Sequence, residues 1–192
     1  MTKAVAGKSV PKVDRDLCKH AYADTIESIS RLASYATSRN LKALGYGEYY
    51  NIAENLCRKD LLILCISTRR FAEITNTQSE LKSRTVSISD DVAKSQGGTR
   101  SDSAWNIIGN IIHGNEMKVF KDLGTMNYTA GQIDLIEWLD TKEEIDTAIS
   151  IKSDKFDWKY FSLIDLLSAI NNYIESVSDS IEGVYLGSTY EM

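Results

Sequence analysis

Leu61-Leu62-Ile63-Leu64-Cys65-Ile66 is the longest apolar run in the chain. It lies inside the stretch from Glu48 to Thr75, where Ile52, Leu56, Phe71 and Ile74 continue apolar positions at helical spacing. A segment that is apolar on every side of a helix needs packing neighbours around most of its circumference, so the run predicts the central helix of a bundle. Six residues are far fewer than the roughly 18–20 that a bilayer span requires, so the segment reads as core. Arg69 and Arg70 interrupt it near its C-terminal end and are the strongest basic feature of the sequence.

Working outward, Leu17, Tyr22, Ile26, Ile29, Leu32 and Ala33 predict a helix over about 13–40, stopped by Asn40 and the Leu44-Gly45-Tyr46-Gly47 turn. Downstream, 76–101 is polar and contains Gly97-Gly98, which has no following Lys-Ser/Thr and reads as a hinge, not a phosphate loop. Val86-Ser87-Ile88 alternates and reads as a short strand or an ordered loop. A third helix is expected over 102–113, capped by Ser101 or Asp102 and ended by His113-Gly114. Short alternating segments near 117–121 and 148–152 fit a small two-stranded β insertion. Ile133 to Leu139 fits one or two helical turns. A last amphipathic helix over 160–181 turns Leu163, Leu166, Leu167, Ile170, Ile174 and Val177 inward. The expected fold is mainly α, an antiparallel helical bundle.

The 192 residues suit a single domain, placed at 13–181 between a disordered lead-in (1–12) and a loose tail (182–192). The one proline, Pro11, leaves the body free of helix breakers. Met1 to Val10 lacks the apolar stretch of a signal peptide. Cys18, Cys57 and Cys65 are odd in number and form no Cys-x-x-Cys pair, so reduced buried thiols in a cytoplasmic protein are expected. Residues 1–70 carry 12 Lys+Arg against 7 Asp+Glu, whereas 71–192 carry 10 against 20. Such a split would suit a basic face for nucleic acid and an acidic face for a protein partner, or two ordinary solvated surfaces. The acidic cluster Asp134, Glu137, Asp140, Glu143, Glu144 and Asp146 reads as a solvated segment. Two histidines and three scattered cysteines have no metal-ligand spacing, and neither a dinucleotide fingerprint nor a nucleophile elbow is present. No metal and no cofactor are expected.

The third helix carries the most informative pattern. At about 100° per residue, Asp102, Asn106, Asn110 and His113 fall within a sector of roughly 80°, with Trp105, Ile108, Ile111 and Ile112 largely away from it. Here an imidazole, the side chain best tuned to proton transfer near neutral pH, stands among amides and a carboxylate. The same stripe also fits the wet side of a surface helix, with His113 favoured by the helix C-terminus. His20 has no such neighbours and reads as a surface residue.

Ala104-Trp105-Asn106-Ile107-Ile108-Gly109-Asn110-Ile111-Ile112-His113-Gly114 resembles the motif helix of HEPN (higher eukaryotes and prokaryotes nucleotide-binding) domains. Leu61 to Glu73 is similar to an earlier bundle helix of some members, and the order of elements fits over about 13–181. HEPN domains are helical bundles, many of them metal-independent ribonucleases of toxin–antitoxin, CRISPR and abortive-infection systems. Their motif is Arg, four to six residues, then His. The three allowed arginine positions before His113 hold Ile108, Ile107 and Asn106, and Arg100 lies too far upstream. The resemblance therefore implies a non-catalytic or weakly active subunit of a prokaryotic defence or toxin–antitoxin type system. It would bind RNA or a protein partner as a homodimer or hetero-oligomer. The alternative is an endoribonuclease using His113, with Asn110 and Asn106 beside it and a phosphate clamp supplied by Arg69 or Arg70. The sequence alone does not establish catalysis.

Overall fold

The computed structural model describes residues 15–37, 48–90, 99–121 and 147–178. The expected lead-in and tail, the Gly97-Gly98 hinge, the turns at Ile133 to Leu139 and the acidic cluster lie outside the described residues.

Helix α1 (Arg15–Thr37) buries Cys18, Ala21, Thr25, Ser28, Leu32 and Ala36, a stripe of mostly small residues that lets it lie close against α2 (Glu48–Thr75). The Thr25 and Ser67 hydroxyls each donate to a carbonyl of their own helix (Ala21, 2.7 Å; Ile63, 2.8 Å) and lie 3.1 Å apart. Arg31 of α1 reaches Asp60 of α2 at 3.0 Å. Contacts that run forward along α1 thus run backward along α2, so the two helices are antiparallel. Helix α2 stops at Asn76, whose φ of 57° is tolerated by asparagine. The Thr77 N–H then returns to the Ala72 carbonyl at 2.9 Å, satisfying one of the orphan carbonyls of the helix end. A short helix α3 (Gln78–Ser83) follows.

Five strands then form one open antiparallel sheet: β1 (Thr85–Ser89), β2 (Arg100–Ser103), β3 (Glu116–Lys121), β4 (Thr147–Ser153) and β5 (Phe156–Ser162), in the order β2-β1-β5-β4-β3. Helix α4 (Ala104–Ile112) joins β2 to β3, and α5 (Leu163–Ser178) follows β5. Strands β2 and β3 are consecutive along the described chain, yet they form the two opposite edges.

The described domain is mainly helical, as expected. The small two-stranded insertion is corrected. Its two strands exist and pair, Met117 with Ile151 and Val119 with Ile149, but they are part of five. Strand β5 was masked by its position before an amphipathic helix. Tyr160 continues the helical period of α5, but Ser153↔Phe156 closes a tight hairpin on Asp154 and Lys155, and β4 then holds residues 156–162 extended. Val86 and Ile88 resolve as strand because β2 and β5 pair on either side of β1.

One side of the sheet contributes Val86, Ile88, Val119, Ile149, Ile151 and Phe161 to the core, against Ile107 and Ile108 of α4 and Leu166 and Ile170 of α5. All six inward positions expected for α5 are buried. Phe71 of α2 packs edge-on against Tyr173 of α5 with centroids 6.2 Å apart.

Candidate functional site

Helix α4 starts differently from expectation. Ser101 and Asp102 are drawn into β2, where Ser87 and Val86 pair with them, and Ser103 becomes the N-cap. Its hydroxyl accepts from the Asn106 N–H at 3.2 Å. The helix ends as expected: the His113 N–H donates to the Gly109 carbonyl at 3.0 Å and Gly114 follows. A Cβ on Gly114 would stand 2.9 Å from the Asn110 carbonyl oxygen, so the last turn of α4 leaves room only for glycine here, while the Lys152 carbonyl of β4, at 3.5 Å, would be in ordinary contact. The Asn115 N–H then donates to the Lys152 carbonyl at 2.9 Å. The residues flanking His113 are thus held from both sides.

The two faces of α4 separate as the pattern predicts. Ala104, Ile107, Ile108 and Ile111 are buried, whereas Asn106 and His113 are exposed and Asn110 is half-buried. Asn106 is already engaged. Its amide donates to Asp102 at 2.9 Å, and the other Asp102 oxygen lies 3.5 Å from the Lys159 ammonium. Both members of that ion pair are nearly buried. Among the described residues, nothing hydrogen-bonds the Asn110 amide or the His113 ring.

An arginine of another helix approaches α4. Arg69 of α2 lays its guanidinium over Trp105 of α4, 4.8 Å from the ring centroid. A Cβ on Gly109 would lie 3.9 Å from Arg69 Nη1. Gly109 is one turn from His113 on the same face, so the guanidinium sits about 6 Å along the helix from the imidazole's turn. Arg69 Nε donates to Glu73 at 3.0 Å, which leaves its Nη groups directed at the α4 surface. The Lys82 ammonium of α3 lies 5.4 Å from the same indole. Two cations therefore converge on one half-buried tryptophan, two helical turns, or about 12 Å, before the exposed His113.

Arg70 does not join them. It lies about 100° around α2 from Arg69 and is exposed. Arg100 is engaged elsewhere: its Nε and Nη2 both donate to Asp90 Oδ2, at 3.0 and 2.6 Å. Sequence reasoning placed Trp105 on the apolar side and passed over Lys82. Trp105 stands one turn before Gly109, a spacing open to a side chain from a neighbouring helix. Lys82 carries no sequence signal.

Among the described residues no group of three His, Cys, Asp or Glu could hold a metal ion, and no helix is long and apolar enough to cross a membrane. Chemically, the cluster offers guanidinium and ammonium donors for an anion, an indole face and an imidazole accessible from solvent. Compared with protein-family models, curated proteins and solved structures, the chain matches none.

Proposed function

We propose that the chain is a HEPN-like, non-catalytic or weakly active subunit of a cytoplasmic prokaryotic defence or toxin–antitoxin type system, and that it binds RNA through Arg69, Lys82 and Trp105 beside His113. The observation that carries this reading is the placement of Arg69. It comes from a different helix to the surface of α4 at Trp105 and Gly109, and among the described residues its Nη groups make no hydrogen bond. Such a fork suits a phosphate. Binding is favoured over catalysis because Glu73 occupies the Arg69 Nε and Asp102 occupies the Asn106 amide. Among the described residues, His113 lacks the orienting hydrogen bond that a general base normally has.

The test is fluorescence anisotropy with a labelled single-stranded RNA across a salt series. Arg69→Ala and Lys82→Ala should each weaken binding about tenfold at low salt and reduce the salt slope by about one. His113→Ala should change affinity less. Absence of RNA binding by the parent at low salt would end the proposal. The alternative, a metal-independent endoribonuclease, is supported by the same Arg69–Gly109 approach. It would replace the binding reading if the parent cleaves RNA in the presence of a chelator and His113→Ala does not.

A further inference from the structure

The outward face of α2 is apolar where a surface helix should be polar. Ile52 (54% exposed), Leu56 (56%), Ile63 (43%) and Ile66 (52%) supply four of the five exposed large hydrophobic residues among those described. They share one stripe with Lys59 and Arg70. The positions 52, 56, 59, 63, 66 and 70 are spaced 4, 3, 4, 3, 4. At about 100° per residue the six fall within a sector of roughly 80°, a single stripe of the kind that two facing helices pack between them. Between Ile52, Asn55, Leu56 and Lys59, spaced i, i+3, i+4 and i+7, a groove of about 420 Å³ opens, bordered also by Arg58 and Leu62. Four residues at that spacing form the hole into which a facing helix inserts a knob.

We infer that this face binds a second copy of the chain, α2 against α2 in antiparallel orientation about a two-fold axis near residue 61. The pattern selects that arrangement. With position x facing 122 − x, Leu56 meets Ile66 of the second copy, Lys59 meets Ile63, and Ile52 meets Arg70. Every layer then contains at least one large apolar side chain, and each cation lies against an aliphatic neighbour along which its stem can pack. A parallel pair would instead set Lys59 against Lys59 and Arg70 against Arg70, two layers of like charge. Ile66 of the second copy is the knob that this register delivers to the groove at Leu56.

The area is sufficient. The exposed parts of the four apolar side chains amount to about 350–400 Å² per chain, and with the stems of Lys59 and Arg70 a symmetric pair covers roughly 1,000 Å², the lower bound of a specific interface. A dimer of moderate strength is therefore expected. The inference is independent of RNA binding, because Arg69 and Trp105 lie on the adjoining side of α2.

Sedimentation equilibrium of the full chain between about 1 and 200 μM should show a monomer–dimer transition, and Ile66→Glu should hold the protein at monomer mass without changing its circular dichroism. The double variant Leu56→Cys/Ile66→Cys should form an intermolecular disulfide on mild oxidation, while Ile66→Cys alone should not. The inference is overturned if the parent stays monomeric throughout that range, if Ile66→Glu folds and still dimerises, or if the single cysteine cross-links as efficiently as the pair.

Discussion

Tyr173→Phe separates a hydrogen bond from the titration of the group that makes it. The Tyr173 side chain is fully buried, and its hydroxyl lies 2.6 Å from Thr77 Oγ1 just beyond the end of α2. Burial is the main cause that pushes its phenol up to about 12 from an ordinary value of 10.0. The unfolded phenol ionises first as pH rises, so the folded state holds the extra proton. Stability from this group is complete below pH 10 and is lost as pH climbs toward 12. Between pH 9 and 11 the loss amounts to about 1.3 kcal/mol. The bond itself contributes about 0.5–1.5 kcal/mol. Its removal leaves no orphan, because Thr77 Oγ1 still has the Thr75 hydroxyl at 2.8 Å. Urea denaturation followed by circular dichroism at pH 7, 9 and 11 measures both terms. The variant should be less stable than the parent at pH 7, and the gap should close or reverse at pH 11. A gap that stays constant from pH 7 to 11 would refute the reasoning, since it would mean that Tyr173 ionises equally readily in both states.

Two further perturbations probe the site and the core. Gly114→Ala should cost about 1–3 kcal/mol, because the new methyl meets the Asn110 backbone oxygen of α4, which has little room to yield. Differential scanning calorimetry should show Tm lowered by roughly 3–10 °C. Cys18, Cys57 and Cys65 are buried, and burial pushes the thiols of Cys18 and Cys65 up. A chromogenic disulfide reagent should therefore find all three unreactive in native buffer at pH 8 and reactive in guanidinium, and a fast-reacting native thiol would contradict the packing.

The four longer helices were legible because their apolar faces repeat at the helical period, whereas the six-residue α3 lay within the stretch read as a polar connection. Glu48–Thr75 was read to the residue, and every residue expected to face inward on α5 is buried, although Ala169 and Tyr173 join them there. The sheet was not, because its strands are four to seven residues long and take their definition from neighbours distant in sequence. Residues 100–103, Arg-Ser-Asp-Ser, have no strand propensity of their own and are extended because β1 pairs with them. The polar face of α4 was visible from spacing alone, since 100° per residue suffices to place Asn106, Asn110 and His113 together. The approach of Arg69 and Lys82 to Trp105 could not be read that way. It depends on how α2 and α3 pack on α4, and no local pattern encodes that crossing.

The strand order also bears on how the chain is assembled during synthesis. The central strand β5 is the last to be made, and it alone joins the β1–β2 ladder to the β3–β4 ladder. Until residue 162 has emerged, a nascent chain holds two separate ladders, each with an open edge where β5 belongs, and α4 tethers them. Closure between such distant segments is slow compared with helix formation. The exposed edges are the part of the intermediate most prone to wrong pairing. Chains cut before Phe156 would keep the α1–α2 hairpin but carry two ladders with nothing to unite them.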